Sequence, residues 1–334
     1  MESNLKGPSP KLKVFKSLIN NSYSFYSFNK SFAFFKSINN ILFIIYPTKI
    51  NSLISYNLIT NQKVNEIKNA HKEYISNIHH CLDKNYNQDL IMSVSSDDNN
   101  IKLWKFKDFS CLYNFENVNS TGYLYSSCFL NDNTNIYIMT CNCSWKGISE
   151  TIKIYDIKGN KIKKINNSKD KTFYIDVYYD IRSNKKYILT GNKGCVKSYN
   201  FNSNDIYKIY CDNDNKEHDL VMIYDFDCDI QLIDSCEDGF IRMWNFHSGS
   251  FIKKIKISED VYGICLWNKY LLVGCEKKKI KIVDLENRVL IKDCFGGEDG
   301  VVIDMKKINF SPYGDCLVTQ NKEKGEIKLW INEN

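Results

Sequence analysis

Long apolar runs are missing from this chain. None reaches the roughly 18 residues that a membrane-spanning helix needs, so no such helix is expected. The first ten residues, Met1-Glu2-Ser3-Asn4-Leu5-Lys6-Gly7-Pro8-Ser9-Pro10, are polar and proline-bearing. They lack the basic-then-apolar order of a secretory signal. Proline is scarce, at 4 in 334 residues, and so is alanine, and no long amphipathic helical pattern stands out. There is no Gly-x-Ser-x-Gly elbow, no phosphate-cradling glycine loop with Lys-Ser/Thr, and no His-Glu-x-x-His. The acidic residues are spread over turns, where Asp caps the backbone, and form no convergent pair. The chain is therefore read as a non-enzyme with no cofactor.

The 13 cysteines are odd in number and scattered. Without a secretory signal they read as reduced thiols, which places the protein in the cytoplasm or the nucleus. Net charge is +6, short of a nucleic-acid footprint. Asn, Lys, Ile and Tyr are heavily used; their codons are AT-rich, so this usage reflects mutational bias and carries no functional signal. At 43% apolar and 14% aromatic, the chain has enough side-chain volume for a large core.

What is present is repetition. Alternating segments rich in Ile, Val, Tyr and Phe are separated by short Asn, Asp, Gly and Ser turns, which is all-β patterning. One phrase returns, a turn followed by a strand that ends in an aromatic residue. Its clearest copies are Ser95–Trp104, Ser235–Trp244 and Gly325–Trp330. The ends of these phrases give the markers Tyr56, Trp104, Tyr155, Tyr199, Trp244, Val283 and Trp330, spaced by 48, 51, 44, 45, 39 and 47 residues. Propeller blades of four strands repeat every ~40–45 residues. Seven markers therefore predict seven blades.

Strand limits follow from the alternation. Blade two is predicted at 74–80, 89–95, 100–106 and 109–115. Blade five is predicted at 220–227, 230–236, 239–246 and 250–256. Blade six is predicted at 260–266, 269–275, 278–285 and 288–294. Only four residues follow Trp330, so the last blade lacks an outer strand. The alternating segment Lys11–Lys16 is predicted to supply it and close the ring, which removes exposed sheet edges. The first blade is expected to start near Tyr23, with 31–40 as its least regular part. Residues 1–10 are expected to form a flexible tail and 11–334 a single domain.

These phrases resemble the WD-repeat (Trp-Asp repeat) family of seven-bladed β-propellers, across residues 11–334. Phe310-Ser311-Pro312-Tyr313-Gly314 matches the family's turn between its first two strands. The family's Gly-His dipeptide survives as Ala70-His71 and as Gly296-Gly297, and no marker tryptophan is followed by Asp. The resemblance implies a hydrogen-bonded set of His, Ser or Thr, Asp and Trp inside a blade. In blade two this set would be His71, Ser96, Asp98 and Trp104; in blade five it would be His218, Asp238 and Trp244. In blade seven, Lys324 stands where the Asp is needed, and the network is expected to be absent.

The resemblance also implies a docking face, formed by the turns that enter the innermost strands and those between second and third strands. On it would lie Tyr74, Tyr123, Trp145, Phe173, Tyr174 and Tyr262, interspersed with Glu73, Asp97, Glu237 and Glu323. Tyr and Trp bury much area for few rotors and suit such a role. The implied function is a scaffold or adaptor for protein partners within a larger complex. Two alternatives stand beside it. One is a propeller that binds phosphoinositide membranes or RNA through the basic runs Lys161–Lys164, Lys253–Lys256 and Lys277–Lys281, although the Phe-Arg-Arg-Gly motif of phosphoinositide binders is absent. The other is a ubiquitin-ligase substrate receptor, for which Trp104-Lys105-Phe106-Lys107 and Trp244-Asn245-Phe246-His247 keep neither the Asp nor the Arg of Trp-Asp-x-Arg. His79 and His80 are neighbours on a strand and point to opposite faces. Cys141-Asn142-Cys143 has no second ligand pair at finger-like spacing. No metal is expected.

Overall fold

A computed structural model describes residues 12–18, 31–60, 62–116, 123–132, 134–143, 150–167, 171–212, 216–226, 229–257, 260–275, 280–295, 300–310, 313–321 and 325–332. Its 28 strands form seven four-stranded antiparallel sheets arranged as a closed β-propeller. Blade one contains β2 (Ala33–Lys36), β3 (Leu42–Pro47), β4 (Leu53–Asn57) and β5 (Gln62–Ile67). Blade two contains β6 (Ile75–Asp83), β7 (Gln88–Ser95), β8 (Asn100–Lys105) and β9 (Ser110–Phe115). Blade three contains β10 (Tyr123–Asn131), β11 (Ile136–Cys143), β12 (Glu150–Asp156) and β13 (Lys161–Asn167). Blade four contains β14 (Thr172–Asp180), β15 (Lys185–Asn192), β16 (Cys195–Asn200) and β17 (Ile206–Tyr210). Blade five contains β18 (His218–Phe226), β19 (Asp229–Cys236), β20 (Phe240–Asn245) and β21 (Phe251–Lys256). Blade six contains β22 (Val261–Trp267), β23 (Tyr270–Cys275), β24 (Ile280–Asp284) and β25 (Val289–Phe295). Blade seven contains β26 (Val302–Phe310), β27 (Gly314–Asn321), β28 (Ile327–Asn332) and the N-terminal β1 (Leu12–Leu18).

The predicted closure is therefore present. β1 runs antiparallel to β28, with Leu12 opposite Asn332, Val14 opposite Trp330 and Leu18 opposite Ile327. The register slips between Val14 and Lys16, one bulge that bends the strand around the rim. Blade one is described from residue 31 onward. Its inner strand is short and begins at Ala33; Tyr23, where the blade was expected to start, lies outside the described residues, as does the 1–10 tail.

The first strand of each sheet is innermost, and β2, β6, β10, β14, β18, β22 and β26 touch in turn around the ring, with β2 meeting β26. The apolar side chains gather between the blades. Phe35 and Phe43 of blade one pack with Ile78, Ile91 and Trp104 of blade two. Met92 and Leu103 of blade two pack with Leu124 and Ile138 of blade three. Leu12 joins Trp330, Leu272 and Val302 between blades six and seven.

Turns are tightened by asparagine. Asn40, Asn51, Asn69, Asn87, Asn99, Asn184, Asn204 and Asn268 all adopt left-handed backbone, where Asn is the best tolerated residue after glycine. Two glycines do a different job. A Cβ on Gly191 would sit 2.1 Å from the His218 carbonyl oxygen, and one on Gly274 would sit 2.5 Å from that of Val302. Here backbone of one blade touches backbone of the next. Among the described residues no helix is long and apolar enough to cross a membrane.

Gly191→Ala should destabilise the protein by about 3 kcal/mol, because a rigid backbone contact must open. Gly314, left-handed at φ +67° but with nothing near its missing Cβ, should cost only about 1 kcal/mol as alanine. Thermal melts of the two variants check this; equal losses would contradict the close blade contact.

Candidate functional site

In each blade the marker side chain has a fixed cross-strand partner, and the side chain two residues beyond that partner lies beside it. In blade two Trp104 faces Ile91, so the neighbour is Ser93. The Trp104 indole N–H donates to Ser93 Oγ at 2.8 Å, and Ser93 Oγ lies 2.8 Å from His71 Nε2. Burial holds the His71 pKa below its ordinary value, so the ring is neutral at pH 7. The hydroxyl accepts from the indole and gives its own proton to Nε2. Nδ1 is then the protonated nitrogen, and it faces Asp98 Oδ2 at 3.5 Å. Three of the four expected members are in place, and Ser96 is not. Ser96 Oγ instead bonds the Leu124 carbonyl at 2.6 Å and Ser76 Oγ at 2.8 Å, tying blade two to blade three. The reason is register: Ser96 lies past the end of β7, too far along the blade to reach the indole.

Blade five replaces the hydroxyl with a carboxylate. Asp234, fully buried, accepts the Trp244 indole N–H at 2.5 Å and the His218 Nδ1–H at 2.8 Å. Asp238, the expected member, is elsewhere. It pairs with the buried Arg242 guanidinium at 2.5 Å, while Asp212 holds the Nε of the same arginine at 3.0 Å. Lys254 completes that group, 2.7 Å from Asp212. His218 also reaches its position differently. It is the first residue of β18, whereas His71 precedes β6 by four residues.

Blade seven keeps half of the set that was expected to be lost, since the Trp330 indole N–H donates to Thr319 Oγ1 at 2.9 Å. The missed signal is a spacing: Ser93 and Thr319 lie eleven residues before their tryptophans, and Asp234 ten. In blade six both corresponding positions are valine, Val273 and Val283, and the spot is apolar.

The anchors leave the connecting turns free to vary. All seven inner strands run in the same sense, so the turns that enter them and the second-to-third-strand turns emerge on one face. Glu73 and Tyr74 lead into β6, and Asp97 sits in the β7–β8 turn. Glu73 and Asp97 are exposed and Tyr74 is half-buried. Partial burial, then Glu73 and Asp98, push the Asp97 pKa up, a sign of carboxylates crowded together. On blade five Glu237 is exposed in the β19–β20 turn, beside Glu217. Burial, then Glu237, raises the Glu217 pKa. Lys216 Nζ lies 3.5 Å from Glu237 Oε1 and moderates the charge there. Glu217 was not foreseen; its place just before an inner strand is the signal that would have found it.

The aromatic part of the expected face is thinner than the sequence suggests. Tyr123 is 46% exposed at the start of β10. Tyr262 is half-buried, with its hydroxyl 3.5 Å from Asp260 Oδ2. Phe173 and Tyr174 are each only 8% exposed, and this corrects their placement on the surface. They lie inside β14, where Phe173 packs edge-on against Tyr125 at 5.5 Å and the Tyr174 hydroxyl donates to Asp176 at 2.7 Å. Trp145 and Glu323 lie outside the described residues, as do Gly296, Gly297, Lys324 and 277–279 of the third basic run. Among the described residues no cluster of His, Cys, Asp or Glu could hold a metal ion. The sequence matches no protein-family model and no curated protein.

Ser93→Ala should cost about 3 kcal/mol, since it strands both the indole N–H and the imidazole in the interior. Ser96→Ala should cost about 1 kcal/mol. Chemical denaturation of both variants checks the order; a larger loss at Ser96 would contradict the assigned network.

Proposed function

We propose that this chain is a non-catalytic propeller of the WD-repeat kind that holds protein partners on the face formed by its inner-strand and second-to-third-strand turns. One observation carries the reading. Carboxylates of blades two and five, the exposed Asp97 and Glu73 and the exposed Glu237 beside the half-buried Glu217, stand on the same face as the exposed Tyr123 ring. A rigid ring that presents separated charges and an aromatic side chain at fixed distances suits a partner segment with basic and apolar anchors.

The WD-repeat assignment within that proposal rests on the three tryptophans whose indole N–H is bound at one repeated register position, by Ser93, Asp234 and Thr319. Such a protein acts as a scaffold or adaptor, contributing surface and geometry to a complex.

Affinity purification followed by mass spectrometry tests the proposal. Asp97→Lys combined with Glu237→Lys should remove the proteins retained by the natural chain. Lys253→Glu combined with Lys256→Glu, on the outer strand of blade five, should leave them in place. Equal loss with both pairs, or no loss with the first, would overturn the assignment of the docking face.

A further inference from the structure

A cleft of about 520 Å³ opens between the outer part of blade two and blade three. Its blade-two wall is the outer strand β9 with Glu116 just beyond it; its blade-three wall is β12 and the turn into β13. A row of rings runs through it. Tyr113 and Phe115 have centroids 6.4 Å apart, and Phe115 meets Tyr155 edge-on at 6.0 Å. Phe115 and Tyr155 are buried, while Tyr113 is 39% exposed and offers its ring to the cleft. The turn that forms the far wall is held close. Gly159 adopts φ +87°, and a Cβ there would lie 3.4 Å from Phe115. The two walls are thus in contact below the opening.

The polar lining is mostly cationic. Lys153, Lys158 and Lys161 contribute three ammonium groups, against the single carboxylate of Glu116, which accepts a hydrogen bond from Asn114 at 2.8 Å. Lys153 is half-buried on β12. Burial, then the charges of Lys161 and Lys164, holds its pKa below the ordinary lysine value, which marks these cations as lying close together. Lys164, opposite Lys153 on β13, is exposed and adds its charge beside the cleft. Lys163, next on the same strand, is turned to blade four, where its Nζ donates to the Phe201 carbonyl at 2.6 Å and sits 4.4 Å above the Phe201 ring. A cationic cleft with one open ring suits a small ligand, and its size falls within the usual range for small-molecule sites.

We propose that this cleft binds a nucleotide, with its phosphates between Lys153, Lys158 and Lys161 and its base against the Tyr113 ring. Ammonium groups hold phosphate as point charges, and an exposed aromatic ring gains most from a flat partner. A bare phosphate chain would use the lysines and leave the ring uncovered. An inositol phosphate headgroup has no flat face to cover it.

Isothermal titration calorimetry on the full chain tests the proposal with ATP, tripolyphosphate and adenosine as probes. ATP should bind at least tenfold more tightly than either of the other two. Lys153→Gln combined with Lys161→Gln should weaken ATP at least tenfold, while Lys253→Gln with Lys256→Gln should leave it unchanged. Tyr113→Ala, at an exposed position that does not threaten folding, should weaken ATP and leave tripolyphosphate as it was. No ATP binding, or ATP binding that ignores both the lysine pair and Tyr113, would overturn the proposal. So would tripolyphosphate binding as tightly as ATP. Sedimentation with phosphatidylinositol-phosphate vesicles separates the remaining source of phosphate: vesicle capture lost in the lysine variant, without binding of free ATP, would replace the nucleotide with a lipid headgroup.

Discussion

No blade of this protein has a core of its own. Each four-stranded sheet is one layer thick and carries apolar side chains on both faces, so its interior lies in the contacts with its neighbours. Trp104 and Ile91 of blade two are buried against Phe35 and Phe43 of blade one, and Met92 and Leu103 of the same blade against Leu124 and Ile138 of blade three. A row of such layers would leave two apolar faces in water at its ends. Closing the row into a ring removes both, and the pairing of β1 with β28 fastens the join by making the two ends of the chain share one sheet. The hydrophobic burial that stabilises every blade therefore depends on a strand about 310 residues away in sequence from its partner.

Closure also separates what is fixed from what can vary. Inside the blades the register brings one side chain beside each marker, and where the marker is tryptophan that side chain is polar: Ser93, Asp234 or Thr319. A buried indole N–H needs an acceptor, and each of the three found a different one at the same place. The turns have no such obligation. Asp97 and Glu237 project from equivalent second-to-third-strand turns of blades two and five, yet Glu73 crowds the first while Lys216 faces the second. The rim varies too: Lys153, Lys158 and Lys161 line the cleft between blades two and three, and on blade five Lys254 pairs with Asp212.

The architecture was legible because the repeat is carried by large residues at blade-length intervals, and because Lys11–Lys16 alternates where a strand was missing. Strand limits agreed to within three residues in blades two, five and six. The interior hydrogen bonds were less legible. Ser96 and Asp238 stand close to their tryptophans in sequence, but the acceptor comes from the neighbouring strand, and the choice between Ser93 and Ser96 depends on pairing register that spacing alone does not reveal. Asp238 also had a competitor in Arg242, whose buried charge needs a carboxylate more than an indole does. Phe173 and Tyr174 were placed on the surface because the sequence does not mark where β14 begins; both rings already lie in that strand, whose two faces are covered there. The left-handed asparagines show why the turns were still readable, since Asn and Gly serve the same backbone requirement.

The dependence of the whole ring on its closing strand is tested most directly by native-state hydrogen exchange at the amides of Ile327–Asn332, in the natural chain and in one lacking residues 1–18. With β1 present these amides should exchange only through global unfolding, as slowly as those of the central strands. Without it, their protection should collapse, and that of blades one and six, which flank the join, should fall with it. Unchanged protection at β28 after removal of β1 would contradict the view that this pairing holds the propeller closed.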